Sequence, residues 1–272
     1  MRKASPYSEL IEAALHLAEL AGAAILPHFR QTLDVENKNE SLGLAGFDPV
    51  TAADKAAEAA IRQELARRYP DHAIEGEEYG TANEGADYRW IIDPIDGTRS
   101  FMMGMLTWGT LIGLSRAGRP LLGVMAQPYS GELFWSGETT AHYRGPRGAE
   151  SQLKARRCRR LGDAVLACTH PSLFANAGEL ARYEAVSRQV KMSRFGGDCY
   201  AYAMVAAGNI DVVIEASLKS FDIAALIPII ERAGGKVTTW SGGPAKEGGQ
   251  IVASGDPVLH DLVLDALAKP PG

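Results

Sequence analysis

Cysteine is scarce in this 272-residue chain. Cys158, Cys168 and Cys199 form an odd, widely spaced set with no C-x-x-C pair, which argues against a disulfide framework and a zinc knuckle and predicts reduced thiols. The six histidines, His16, His28, His72, His142, His170 and His260, are scattered without ligand spacing and predict packing or surface roles rather than a zinc site. Excess positive charge is missing too: the net charge of −5 gives no general attraction for nucleic acid. The one basic cluster, Lys154 to Arg160, lacks interleaved aromatics and reads as a solvated connector. No uninterrupted run approaches the roughly eighteen apolar residues of a membrane span. Met1-Arg2-Lys3-Ala4-Ser5-Pro6 leads into a segment carrying Glu9, Glu12 and Glu19 rather than a secretory apolar core. These absences predict a cytoplasmic protein with neither a membrane nor a nucleic-acid partner. Internal repeats and low-complexity segments are also lacking.

What is present is an ordinary globular composition, 46% hydrophobic and 22% charged. The length allows one large domain or two halves of roughly 130–150 residues. Apolar residues at helical spacing (Leu10, Ile11, Ala14, Leu17, Ala18, Ala21, Ile25) predict a long amphipathic helix from Ser8 to about Thr32. Asn37 to Gly46 is polar and glycine-bearing and predicts a mobile loop. A second helix is expected from Thr51, placed to cap it, to about Tyr69, with Pro70 following where helices stop. From Asp87 to Ser136 the pattern turns to strands (Trp90–Ile92, Thr107–Ser115, Leu121–Ala126, Glu132–Trp135) and resembles an antiparallel sheet. After the basic connector, strands at Ala164–Thr169, Asp211–Ala216, Lys236–Trp240 and Gln250–Ala253 alternate with helices at Glu179–Gln189, Tyr200–Ala207, Ile223–Ala233 and from Pro257. That alternation suggests an α/β layered second half.

The most informative stretch is Trp90-Ile91-Ile92-Asp93-Pro94-Ile95-Asp96-Gly97-Thr98. Its apolar run predicts a buried strand stopping at Asp93, because Pro94 lacks an N–H and Gly97 tolerates the dihedrals of a tight turn. Two carboxylates three residues apart would then leave the sheet edge together. Hard oxygen ligands on a turn suit Mg²⁺, which binds through a few carboxylates and recruits phosphate oxygens and water. Thr98 falls where a short helix can begin, with backbone N–H groups facing an anion. A lone D-x-x-D also fits a solvated turn. Three further acids sit in similar settings, each with a plainer alternative. Asp54 lies in the first turn of the second helix, where it complements the helix dipole. Glu77 follows a short apolar segment and the turning Gly76, as in an ordinary acidic loop. Asp222 stands at the start of an apolar helix, as an N-cap does.

Taken together, these motifs resemble the inositol monophosphatase superfamily of metal-dependent, lithium-sensitive phosphatases over nearly the whole chain. Asp54 in Val50-Thr51-Ala52-Ala53-Asp54, Glu77 in Gly76-Glu77-Glu78, the run Trp90 to Thr98 closed by Phe101, and Asp222 before Ile223-Ala224 fall in that family's order and approximate spacing. Within it, the wording is most similar to bacterial histidinol-phosphate phosphatases. The stretches that carry this are Gly97-Thr98-Arg99-Ser100-Phe101, Trp108 to Gly113, Gly196-Gly197-Asp198-Cys199-Tyr200 and Phe221 to Pro228.

The resemblance implies a layered αβαβα sandwich of mixed α+β and α/β character. Residues 1–150 would form an N-terminal half with a large antiparallel sheet, and 151–272 a C-terminal half with a smaller mixed sheet. The two halves would form one compact unit with the active site between them. It also implies a homodimer. One Mg²⁺ would be held by Glu77, Asp93 and the Ile95 carbonyl, and a second by Asp93, Asp96 and Asp222. A third, weaker ion would lie near Glu77, with Mn²⁺ an alternative metal. Thr98, paired with Asp54, would orient or deprotonate the attacking water, with Glu77 a rival base. Gly97 and Thr98 would hold the phosphate.

Substrate-binding residues would be Gly196, Gly197, Asp198, Glu215 and Arg99. Glu215 stands where the inositol enzymes use a glutamate on a sugar hydroxyl. Asp198 departs from the small residue usual there and suits a cationic ligand; its alternative is a plain helix cap. Arg99 also departs, with a surface arginine as its alternative. The implied activity is hydrolysis of histidinol phosphate in histidine biosynthesis. Inositol or broad sugar phosphates, a 3′-phosphonucleotide, and a metal-binding protein without catalysis are the rivals.

Overall fold

A computed structural model of the protein describes residues 6–32, 35–41 and 49–269. The N-terminal part runs α1 (Pro6–Ile25), β1 (Val35–Asn37), α2 (Lys38–Ser41), β2 (Pro49–Thr51), α3 (Ala52–Arg68), β3 (Ala73–Gly76), β4 (Gly80–Ala82), β5 (Tyr88–Asp96) and α4 (Thr98–Met102). It continues through β6 (Gly109–Arg116), β7 (Arg119–Gln127), β8 (Glu132–Ser136), β9 (Ala141–Arg144) and β10 (Glu150–Leu153). The remainder is β11 (Val165–Cys168), α5 (Ala177–Ser187), β12 (Met192–Phe195), α6 (Asp198–Ala206), β13 (Val212–Leu218), α7 (Ser220–Ile223), α8 (Leu226–Arg232), β14 (Lys236–Thr239), β15 (Gly249–Ser254) and α9 (Pro257–Ala268).

Two sheets form the frame. The first has eight strands in the order β10-β9-β8-β7-β6-β5-β3-β4 and is antiparallel except for the parallel pair β3–β5. The second has five, β12-β11-β13-β15-β14, with β12, β11 and β13 parallel and β15 and β14 antiparallel. Helices α1 and α3 pack on the outer face of the first sheet, α6 and α8 lie between the sheets, and α5 and α9 cover the second. Three apolar clusters fill the spaces between these layers. This is the expected αβαβα sandwich. The anticipated division at residue 150 falls within β10, which extends the first sheet to Leu153.

Contact between the halves depends on small residues. Gly123 of β7 and Gly113 of β6 face the Ala224–Ala225 backbone just before α8; a Cβ on Gly123 would overlap the Ala225 carbonyl oxygen. Only glycine lets helix backbone lie this close to a strand.

Several boundaries differ from expectation. The first helix ends at Ile25 and is followed by a single 3-10 turn at Leu26–His28, because Pro27 supplies no amide for continuation. By length and composition it is apolar enough to cross a membrane, although no unbroken apolar run is present; half of it is buried in this fold, against α3, β6 and β7. Of the predicted loop, Asn37 closes β1 and Lys38–Ser41 form α2, while 42–46 lie outside the described residues. The helix expected over Ile223–Ala233 is split into α7 and α8. Strand β12 escaped prediction because all four of its residues are exposed at a sheet edge, leaving no buried face to create alternation.

Candidate active site

Strand β5 does not stop at Asp93. It runs on to Asp96, and its register with β6 is irregular between the two aspartates. Pro94 is tolerated there because the irregularity removes the need for its amide, and its carbonyl accepts the Thr110 hydroxyl at 2.8 Å. β5 is an interior strand between β3 and β6. Its pairing with β3 ends at Ile92, so from Asp93 onward it is paired with β6 alone and both aspartates leave the sheet where that neighbour stops.

Asp222 joins them from the other half. In α7 its Oδ2 accepts the Lys219 amide at 2.7 Å, so it closes the first turn from inside the helix rather than from the cap position. Carboxylate oxygens of Asp93, Asp96 and Asp222 all lie within 4.8 Å of one another. Asp93 is buried with Oδ1 unpartnered. Burial raises its carboxyl well above the usual range, and the charges of Glu77, Asp96 and Asp222 push it further. Asp96 is raised by burial and by Asp222 and Asp198. Asp222 is pushed up to about 7 by burial, with the Glu77 charge adding to it. Crowded hard oxygens that repel one another, one of them an orphaned buried acceptor, are the donor set a divalent cation satisfies. The group expected from the motifs fits these residues.

Glu77 sits in the turn after β3, its amide donating to the Ile92 carbonyl at 3.2 Å. Lys38 Nζ reaches the Oε1 atoms of Glu77 and Glu78, each at 2.8 Å. Burial works to discharge this ammonium, but the Glu77 charge and both hydrogen bonds outweigh it and hold Lys38 protonated. A single lysine in a polar segment carries no sequence signal, which is why its part in the site was not foreseen.

The expected pairing of Thr98 with Asp54 is not present. Thr98 Oγ1 donates to the Ile95 carbonyl at 3.1 Å. Asp54 Oδ2 instead accepts the Thr51 amide at 2.8 Å and its hydroxyl at 2.6 Å. Thr51 and Asp54 form a capping box, a motif readable from T-x-x-D spacing. Asp54 Oδ1 is nevertheless buried and unpartnered. Burial pushes this carboxyl up to about 6 against the Thr51 hydrogen bonds, with Glu77 adding to the rise.

Asp198 is not a cap either. It opens α6 at φ +42 after the cap residue Gly197, a left-handed conformation unusual for a residue with a Cβ. Its Oδ2 accepts the hydroxyls of Ser100 at 2.6 Å and Thr107 at 2.9 Å. The side chain lies over Gly97, where any Cβ would come within 3.0 Å of it. Ser100 and Thr107, unremarkable in sequence, thus fix the carboxylate beside the anticipated phosphate position. Gly196 turns the chain at φ +85, its amide bonded to the Thr169 carbonyl at 2.9 Å.

Glu215 is buried. Its oxygens are taken up by the Thr169 amide at 2.6 Å and the Tyr202 hydroxyl at 3.0 Å, and burial raises its carboxyl despite these bonds. Much of its accepting capacity serves the fold rather than an open pocket. Arg99 is exposed on α4.

A sandwich of this layering with a carboxylate cluster between its halves defines a metal-dependent phosphatase. The pattern of the inositol monophosphatase family matches residues 7–269, and the chain belongs to that family. It is 39% identical to the chloroplastic bifunctional phosphatase IMPL2 of Arabidopsis thaliana over 92% of this chain and 72% of that protein. It is 35% identical to the histidinol-phosphatase of Streptomyces coelicolor over 96% and 97%. Among solved structures it superposes on an inositol monophosphatase from Zymomonas mobilis with a TM-score of 0.85 and 35% identity, covering 98% and 100% of the two chains.

Proposed function

We propose that this phosphatase hydrolyses L-histidinol phosphate to L-histidinol and phosphate in histidine biosynthesis, as a Mg²⁺-dependent cytoplasmic homodimer. The observation that carries the substrate reading is Asp198, held by Ser100 and Thr107 beside Gly97. Histidinol phosphate presents a primary ammonium and an imidazole, both able to donate to such a carboxylate. The relative named histidinol-phosphatase at 35% identity supports it.

Glu77, Asp93, the Ile95 carbonyl, Asp96 and Asp222 would hold two Mg²⁺ ions, a third lying near Glu77. When bound, such ions act as Lewis acids on the phosphoryl oxygens and lower the pKa of the attacking water. Gly97 and Thr98 at the start of α4 would cradle the phosphate. Asp54 takes the proton of the water, its Oδ1 having no hydrogen-bond partner of its own. Thr98 orients that water once its hydroxyl turns from the Ile95 carbonyl; α4 packs against β2, which ends at Thr51, three residues before Asp54. Glu77, engaged by Lys38, is left to the metal. Asp198 supplies the substrate contact, Glu215 ties down α6 through the Tyr202 hydroxyl, and Arg99 is a further substrate contact from α4. The homodimer is supported by exposed Leu26, Met103, Met105, Leu106 and Tyr129, near the point where Arg30 joins Gly104 to Tyr129.

A second reading, inositol phosphate hydrolysis, draws on the likeness to the Zymomonas mobilis enzyme. Mg²⁺-dependent phosphate release measured on histidinol phosphate, inositol 1-phosphate, fructose 1,6-bisphosphate and 3′-phosphoadenosine 5′-phosphate separates them. Strong preference for the first is expected; turnover of inositol phosphate without histidinol phosphate would overturn the proposal.

A further inference from the structure

Helix α3 carries Asp54, Glu58 and Arg62 at successive i+4 positions, on one stripe of the helix. Asp54 belongs to the site already described. Glu58 does not, yet it is 0% exposed, and a buried carboxylate is retained at a cost unless it is fully bonded. Its partners are specific. Oε2 accepts the Glu78 amide at 2.7 Å, and Oε1 accepts the Tyr79 amide at 3.1 Å and Arg62 Nε at 2.7 Å. A second Arg62 nitrogen donates to the Gly80 carbonyl. Gly76 leaves the room: a Cβ there would overlap the Glu58 carboxylate.

We infer that Glu58, braced by Arg62, is the positioning residue that aims Glu77 at the metal; this rests on the metal-dependent phosphatase reading above. Glu77 lies between two fixed points. Its own amide is tied to the Ile92 carbonyl, one residue before Asp93, and the next two amides are tied to Glu58. Those bonds set the backbone dihedrals around Glu77 and so the direction of its Cβ, and none of them uses its carboxylate, which meets Lys38 through Oε1. Arg62 closes the turn from the Gly80 side and balances the buried charge. The sequence of the turn alone does not orient Glu77; α3 does.

Glu58→Gln keeps the shape but offers one acceptor oxygen to two amides and sets an NH₂ against the other. Direct Mn²⁺ and Mg²⁺ binding by titration calorimetry is compared with wild type, together with the Mg²⁺ dependence of phosphate release and melting in EDTA. The expected result is a metal dissociation constant raised about 10-fold, the scale seen when partners of metal ligands are lost, with kcat unchanged at saturating Mg²⁺. Glu58→Asp, too short to reach the amides, is not expected to restore affinity. If Glu58→Gln does not fold, Arg62→Lys, which keeps the charge but loses the double contact, is expected to shift affinity in the same direction. A lower melting point in EDTA with an unchanged metal dissociation constant would overturn the positioning role alone. Absence of divalent-ion binding by the wild-type protein would overturn the metal reading and this inference with it.

Discussion

The Cys199 amide donates to Asp96 Oδ2 at 2.7 Å. This bond joins the end of β5 in one half to the first turn of α6 in the other, and it fixes one oxygen of a carboxylate beside Asp222 from across the interface. The Cys199 thiol itself is pushed up far from thiolate character, by burial first and by the Asp96 charge second. The residue contributes its backbone, not its sulfur.

Asp93→Asn is expected to abolish Mg²⁺-dependent phosphate release. It also removes one of several mutually repelling buried carboxyls, so melting in EDTA should be unchanged or higher, while the rise in melting temperature on adding Mg²⁺ should shrink. A protein whose metal site serves only binding would show no change in phosphate release.

Without metal, stability should fall as pH rises from about 4 to about 7. Asp54 is raised to about 6 and Asp222 to about 7, both above their unfolded value of about 4. The folded state therefore holds more protons than the unfolded one across this window, and the stabilisation present below pH 4 is lost through the folded pKa values. Chemical denaturation in EDTA at several pH values tests the slope. With Mg²⁺ bound the carboxylates are satisfied as anions, so the slope should flatten or reverse.

Asp198→Asn keeps an oxygen acceptor for Ser100 and Thr107 but removes the charge. The expected result is a KM for histidinol phosphate raised on the order of 10-fold, equivalent to about 1.4 kcal/mol of charge-assisted contact, with inositol 1-phosphate hydrolysis little altered. Equal losses on both substrates would assign Asp198 to the architecture around Gly97.

Gly123→Ala should destabilise the protein. Its methyl would meet the Ala225 carbonyl oxygen, where backbone opposes backbone and cannot rotate away. Overpacking of this kind costs about 1–3 kcal/mol, so melting should drop by roughly 2–10 °C.

Met103→Glu places a charge on the exposed apolar group near Arg30. Light scattering after gel filtration should show a dimer for the wild-type chain and a shift toward monomer for the variant.

Part of the site was legible in the chain because its acids sit at ends of strongly patterned elements. Asp93 and Asp96 follow a buried apolar run that marks them as a pair, whereas Asp54, Glu77 and Asp222 each had a plainer local reading and were joined to the site only by the resemblance. The long helices and interior strands were equally readable, since each buries a continuous face. Edge strands such as Met192–Phe195 were not, because an exposed strand has no apolar face to mark it.

What the sequence determined by itself was the inventory: a hard-oxygen donor set, three cysteines without pair spacing, and two differently patterned halves. Tertiary structure alone decided the pairings. It brought Asp222 to Asp93 across the interface, set Lys38 on Glu77, and occupied Glu215 with Tyr202. Those partners are distant in sequence. Which of them meet depends on burial and packing of the whole chain, which no local pattern encodes.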